Sequence, residues 1–450
     1  MKTVWLCKEC GHTQTKWSGS CFACSSWNSF VEQKIFEDKK NRNVKENISK
    51  PIPLKDVDIL KFTRMQTDIL ELDRLLGGGI VKGSLILVGG DPGIGKSTLM
   101  LQVSAALASK KMKILYICGE ESVEQTSMRA KRLNVHTDNI FLLNENLFGA
   151  IKTEISNINP DIIIIDSIQV LYKEDIDSSF GSVTQVKEIA ADLMQLAKAK
   201  NIAVFMVGHV TKTGDIAGPR VLEHIVDVVL DFEGDSKQGF RFLRALKNRF
   251  GSTEEIAIFN MTEEGLKEIK NPSCAFLEER MEKIAGSVIS ATIEGVRSIL
   301  IETQALVTSS FFPMPTRKCS GIDSNRLALL LAVLEKRVGF QILSSDIFVS
   351  LAGGIKVVEP SIDLAIAMAI ASSFTNKVVD PSCIIIGEVG LGGEVRSVSR
   401  IESRIKEAIN LGFKKCVLPK RNLEKLSKNV CSQIELIGVN LVDEAVQKLF

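Results

Sequence analysis

The sequence predicts an α/β protein organised around a parallel sheet, with a small metal-binding module in front and an α+β domain behind. Three observations carry this. A glycine-rich turn, Gly89-Gly90-Asp91-Pro92-Gly93-Ile94-Gly95-Lys96-Ser97-Thr98, stands between the apolar run Leu85–Val88 and the helical stretch Leu99–Ala108. Two Cys-x-x-Cys pairs, Cys7/Cys10 and Cys21/Cys24, lie near the start. Further apolar runs over 113–117, 161–166 and 201–208 alternate with helical stretches, as strands buried on both faces of a sheet do.

Composition sets the outer limits. A chain of 450 residues has room for two or three domains, and 45% hydrophobic residues exclude gross disorder. No apolar run approaches the length of a membrane span, and the first residues lack the apolar stretch of an export signal. The expectation is a cytoplasmic protein without a membrane partner. The formal net charge is only +2, so any nucleic-acid binding must come from a local patch.

Of ten cysteines, four cluster and six are scattered, which favours a metal site over disulfides. Cys7, Cys10, Cys21 and Cys24 supply four thiolates in two pairs, enough to complete a tetrahedron around Zn²⁺. With all four ligands from protein, the ion is structural, and it stabilises a segment too short for core burial alone. Trp5, Trp17 and Trp27 are candidates to shield it, and His12 reads as a bystander. Residues 1–31 form this module. Residues 32–56, rich in Lys, Glu, Asp and Asn with Pro51 and Pro53, read as a charged linker.

A short helix near 68–76 ends in Gly77-Gly78-Gly79 and leads to the first strand. The glycine-rich turn that follows matches G-x-x-x-x-G-K-S in its strand-and-helix context, a phosphate-binding loop. Gly90 to Gly95 would turn backbone N–H groups onto phosphate. Lys96 would reach the β/γ-phosphates, Ser97 would hold Mg²⁺, and Thr98 is counted with them among the nucleotide-binding residues. ATP and Mg²⁺ are therefore expected. Glu120, after the strand over 113–117, is the candidate to orient or deprotonate attacking water, with Glu121 as substitute. Asp166 ends the next strand, where an acid holds Mg²⁺ in phosphate-loop enzymes. His209 falls near the expected γ-phosphate, followed by a polar loop over 210–220. Between Asp235 and Glu254 there is no acid, yet Lys237, Arg241, Arg244, Lys247 and Arg249 occur: a local basic patch or a solvated strand face.

At this point the chain resembles the bacterial RadA/Sms DNA repair family from end to end. The resemblance rests on the four-cysteine module, the phosphate loop, Gly119-Glu120-Glu121-Ser122 and Lys247-Asn248-Arg249-Phe250-Gly251, the last being the most specific. It implies a RecA-like ATPase core over 57–272, a zinc-ribbon-like N-terminal module and a Lon-protease-like α+β domain over 284–450. It further implies a homo-hexameric, DNA-dependent ATPase that acts as a motor on single-stranded and branched DNA, extending recombination intermediates by branch migration alongside a recombinase filament. In such rings Lys247 or Arg249 could complete a neighbour's nucleotide site or contact DNA phosphate.

In the Lon-like region, Asp323 caps a helix over 324–334, an apolar segment runs through 347–355, a helix spans 361–372 and a further strand covers 383–390. Ser361 falls where the Lon serine would stand. The placement made from sequence puts Glu402 at the Lon lysine, and an acid cannot become the amine base that activates a serine. A non-proteolytic scaffold is expected, with Arg396, Arg400 and Arg404 available to DNA. The competing functions are a regulatory ATPase or kinase acting on protein and an ATP-dependent protease.

Overall fold

The computed structural model describes residues 2–7, 12–14, 16–35, 53, 64–208, 222–234, 239–281, 283–310 and 314–450. Residues 1–61 and 62–450 form two separate compact units.

The first unit is a three-stranded antiparallel sheet. Its central strand β1 (Lys2–Cys7) pairs with β2 (Thr13–Gln14) on one side and β3 (Phe30–Ile35) on the other. Cys7 sits opposite Phe30 in this register, and both are buried with Cys21. The pairing runs on to Lys2 opposite Ile35, four residues past the boundary read at residue 31.

The second unit holds two sheets. In the larger, six strands are parallel: β6 (Leu85–Gly90), β7 (Ile114–Cys118), β8 (Ile140–Leu143), β9 (Ile162–Asp166), β10 (Ala203–Val207) and β11 (Val228–Glu233). An antiparallel meander of β12 (Phe240–Asn248), β13 (Ile256–Thr262) and β14 (Gly265–Glu268) extends one edge. The order is β14-β13-β12-β11-β6-β10-β9-β7-β8, and the small hairpin of β4 (Arg64–Met65) and β5 (Ile80–Val81) lies before it in sequence.

Successive side chains of a strand point to opposite faces, and β6 shows the consequence. Ile86 and Val88 join the helix Lys96–Ser109 in one core, while Leu85 and Leu87 join the helix Val183–Lys200 in another. Each such side chain, fully buried, stabilises the fold by about 1.5–3 kcal/mol relative to exposure.

The smaller sheet has the order β17-β18-β16-β15-β19-β22-β23. It is built from the hairpin β15 (Ser287–Glu294) and β16 (Arg297–Ser309), then β17 (Arg317–Ser320), β18 (Ser345–Leu351) and β19 (Cys383–Ile385). After the short pair β20 (Glu388–Val389) and β21 (Val395–Arg396) come β22 (Lys415–Pro419) and β23 (Glu435–Val439). The apolar helix Asp363–Thr375 is buried on one face and the helix Ile401–Asn410 covers the other.

The two sheets are braced together. Gly295, with φ 65°, turns between β15 and β16 where an added Cβ would overlap the Glu254 carbonyl, so only glycine fits. Around this turn Arg297 forks onto Glu71 (3.0 and 3.2 Å) and Arg400 reaches Glu254 (3.1 Å). Arg244 joins Glu233 (3.1 Å) to Glu294 (2.6 Å).

Candidate nucleotide site and the pseudo-dyad

The turn after β6 has the geometry that anion binding needs. Gly90 has φ 137°, and a Cβ there would strike Phe232 at 2.7 Å, so β11 packs directly against the loop. The helix beginning at Lys96 directs its first N–H groups and the positive end of its dipole into the turn. Lys96 is buried and donates from Nζ to the carbonyls of Gly90 (2.7 Å) and Asp91 (2.8 Å). Burial lowers its pKa, opposed by the fields of Asp166, Glu120, Asp91 and Asp231. Four carboxylates from separate segments thus converge on one ammonium group.

Asp166 ends β9, opposite Cys118 of β7 and Val207 of β10. Its Oδ2 accepts a hydrogen bond from the buried Tyr116 hydroxyl (2.8 Å). Burial, then the Asp166 charge, pushes the Tyr116 pKa well up, so the phenol stays a donor. Glu120 follows β7 and accepts a hydrogen bond from Ser167 Oγ. Glu121 is instead paired with Arg129 (2.5 Å). Pro92, Gly93, Gly95, Lys96, Ser97, Thr98 and Glu120 line a common cleft of about 780 Å³. Lys96, Ser97, Glu120 and Asp166 therefore gather at the C-terminal end of the parallel strands, where ligands of open α/β sheets bind.

Sequence reasoning passed over three residues here. Tyr116 read only as a strand residue. Asp231 faces Gly89 from β11, and its carboxyl is pushed up to about 6 by burial, then by Glu233 and Asp91, with Lys96 and Arg244 opposing. Arg241 is 4% exposed and donates from Nε to the Ile94 carbonyl (3.1 Å), bracing the crest of the phosphate loop. The sequence groups it with the basic patch, but among the described residues that patch is not one surface. Arg244 is held between Glu233 and Glu294. Lys247 Nζ caps the carbonyls of Glu223 and Val226, and Arg249 pairs with Asp227 (3.0 Å). Lys237, His209 and the loop 210–220 lie outside the described residues.

Lys247 and Arg249 lie away from their own chain's phosphate loop. Lys247 stands opposite Val229, which pairs with Leu87, whereas Gly90 at the loop pairs with Phe232. Three residues separate the two levels, about 10 Å along the strands. The Lys247–Gly251 segment packs on the glycine cluster: Asn248 Nδ2 donates to the Leu75 carbonyl (3.0 Å), and a Cβ on Gly77 would meet the Phe250 carbonyl at 2.7 Å.

In the second sheet, Ser361 is buried. The side chain against it is Arg404, not Glu402. Arg404, fully buried, donates from Nη1 to Ser361 Oγ (3.0 Å) and the Ala291 carbonyl (2.6 Å), and from Nη2 to Glu359. Glu402 faces the other way and accepts from the Ser427 N–H (3.0 Å). The sequence placement was off by two residues. A guanidinium stays protonated and accepts no proton, so Arg404 cannot serve as the amine base of a Ser–Lys dyad. The expectation that Arg404 is available to DNA is also wrong. Arg400 is taken up by the Gly295 carbonyl (2.7 Å) and Glu254, and Arg396 by Glu394 (2.6 Å) and Glu388.

In the first unit, the Sγ atoms of Cys7, Cys21 and Cys24 lie within 4.8 Å of one another, with Cys7 and Cys24 at 3.7 Å. Zn–S bonds of about 2.3 Å in a tetrahedron place sulfurs about 3.8 Å apart, so the set fits Zn²⁺. Cys10 lies outside the described residues, and His12 is exposed. Only Trp5 packs on this cluster; Trp17 and Trp27 are exposed rather than shielding it.

Fold and site together define a RecA-like ATPase with an N-terminal zinc ribbon and a Lon-like C-terminal domain. Comparison with known proteins agrees. Family models match for an AAA domain over residues 49–215, a rubredoxin metal-binding domain over 5–32 and the ChlI subunit of Mg-chelatase over 327–422. The DNA repair protein RadA of Bacillus subtilis strain 168 is 51% identical across 99% of this chain and 98% of its own. That of Chlamydia trachomatis serovar D is 48% identical across 100% and 99%. Among solved structures, a KaiC-like protein of Pyrococcus horikoshii OT3 aligns with 46% of this chain and 99% of its own, at 18% identity and a TM-score of 0.39. The chain belongs to the DNA repair protein RadA family. No helix among the described residues is long and apolar enough to cross a membrane.

Proposed function

We propose that the chain is a DNA-dependent ATPase that works as a motor in recombinational repair, driving branch migration from single-stranded DNA. The observation that carries the ATPase reading is the convergence of Lys96, Glu120 and Asp166 at one end of the parallel strands. In this reading Lys96 stabilises charge on the transferring phosphoryl group and Glu120, oriented by Ser167, positions or deprotonates the attacking water. Ser97 and Asp166 would hold Mg²⁺, which supplies charge neutralisation on the phosphates when bound.

Support for a ring comes from the Lys247–Gly251 segment. It lies away from its own phosphate loop, which leaves Lys247 or Arg249 to serve the nucleotide of an adjoining subunit or to contact DNA phosphate. A homo-hexamer with the Lon-like region 284–450 as a non-proteolytic scaffold accommodates this, and family membership supports DNA and a recombinase filament as partners. The domain division at 57–272 and 284–450 belongs to the same proposal.

The test is ATP turnover of the full chain with and without single-stranded DNA across a salt series. Stimulation that fades steeply with rising salt is expected. Turnover indifferent to DNA at low salt contradicts the motor.

A further inference from the structure

The chain has three tryptophans, Trp5, Trp17 and Trp27, and all lie in the zinc ribbon. A module this small gains stability from every aromatic ring it buries. Yet Trp17 is 55%, Trp27 79% and Phe22 84% exposed, while Phe30 and Trp5 pack with Cys7 and Cys21. Leaving such rings in water forgoes hydrophobic stabilisation, and an exposed apolar patch marks an interaction surface.

The rings stand on an ordered frame. The Cys21 N–H donates to the Ser26 carbonyl (2.9 Å) and the Ser25 N–H to Cys21 (2.8 Å), closing the turn that presents Phe22. Trp27 bridges to Ser20, and its ring lies 3.6 Å from where a Cβ on Gly19 would be. The indole thus packs over the Gly19 backbone on one side while 79% of the residue stays exposed.

Charge separates the partner classes. From Cys10 to Val31 there is no Asp or Glu, and the exposed Lys16 adjoins Trp17. A short ordered stretch with three open rings, a cation and no carboxylate suits a strand of unpaired bases: every base has a face to stack and no acid of this stretch repels its phosphates. We propose that Trp17, Phe22 and Trp27 form a base-stacking platform for single-stranded nucleic acid, a contact separate from the ATPase sheet. The proposal rests on the DNA reading above.

Because the only tryptophans lie in the ribbon, indole fluorescence of the full-length protein reports on this module alone. In Trp5→Phe, Trp17 and Trp27 remain as reporters, and titration with oligodeoxythymidine is expected to quench them. Trp17→Ala/Trp27→Ala should weaken binding of the labelled oligonucleotide by about tenfold per ring removed. Trp17→Phe/Trp27→Phe, which keeps both faces, should bind within a few-fold of wild type. Phe22→Ser, at the most exposed position, should weaken binding in the same way without touching the cysteine cluster. Zinc content, measured on each variant, shows the ribbon intact. Equal affinity of wild type, the double alanine variant and Phe22→Ser overturns the platform, and does so without harm to the motor if DNA still stimulates ATP turnover. A wild-type chain that neither binds the oligonucleotide nor responds to it overturns both.

Discussion

The phosphate loop and the Ser361 pocket each place a buried cation beside groups that could do chemistry, and they differ in what the cation can still do. Lys96 holds two carbonyls of its own loop at the mouth of a cleft, within the fields of four carboxylates. Those hydrogen bonds are to carbonyls of the loop itself, and phosphate oxygens would compete for them. Arg404 is closed in: Ser361, Ala291 and Glu359 take its donors, and it has no exposed surface. Against the burial that would raise it, the Arg404 guanidinium and the Ile293 N–H hold the Glu359 carboxyl below its ordinary value. One arrangement is a site and the other a brace. The difference lies in access and in the chemistry of amine against guanidinium.

The largest expected effect is at Lys96. Lys96→Ala should lower ATP turnover by about 10³-fold or more, by loss of charge aimed at the phosphoryl group. Near-wild-type turnover would remove the distinction between the two pockets. At the brace, Arg404→Ala should leave ATP chemistry in place but destabilise the second unit by about 2–3 kcal/mol, since it strands the partly buried Glu359 and Ser361. Denaturant unfolding reads this.

Smaller effects sharpen the picture around the loop. Tyr116→Phe removes the hydrogen bond on Asp166 and should raise the Mg²⁺ concentration needed for nucleotide binding by about tenfold. An unchanged Mg²⁺ dependence would mean the phenol is only packing. Asp231 carries the pH signature. Its folded-state pKa of about 6 lies above its ordinary value of 3.8, so folding favours the protonated form. That contribution is complete below about 3.8 and is lost as pH rises through about 6. Asp231→Asn should therefore be more stable than wild type at pH 7, by about 1 kcal/mol after solvent screening, with the gap closing toward pH 4. Thermal unfolding at both pH values checks the sign.

What the sequence made legible was local. The phosphate loop, the flanking strand and helix, the strand ends at Glu120 and Asp166, and the Asp323 cap all depend on near neighbours in the chain. Cys7, Cys21 and Cys24 were readable for the same reason, since spacing alone declares a ligand set. What escaped depended on direction. Arg241 and Arg244 look like one patch when charges are counted, but their odd spacing on β12 sends them to opposite faces. One reaches the phosphate loop and the other the Glu294 carboxylate. Glu402 and Arg404 differ by two positions on a helix, about 200° of turn, and no local pattern says which faces Ser361. Tyr116 and Asp166 are 50 residues apart, and only the pairing of β7 with β9 brings them together.

The central claim is that the two ends of the ATPase sheet serve different nucleotides, the Lys96 end its own and the Lys247 end a neighbour's. Mixing Lys96→Ala with Lys247→Ala, each expected on this proposal to be inactive alone, in the presence of single-stranded DNA tests it directly. Random mixing leaves roughly a quarter of interfaces with both groups intact, so turnover should recover to about that share of wild type. A mixture no more active than its separate components contradicts the account.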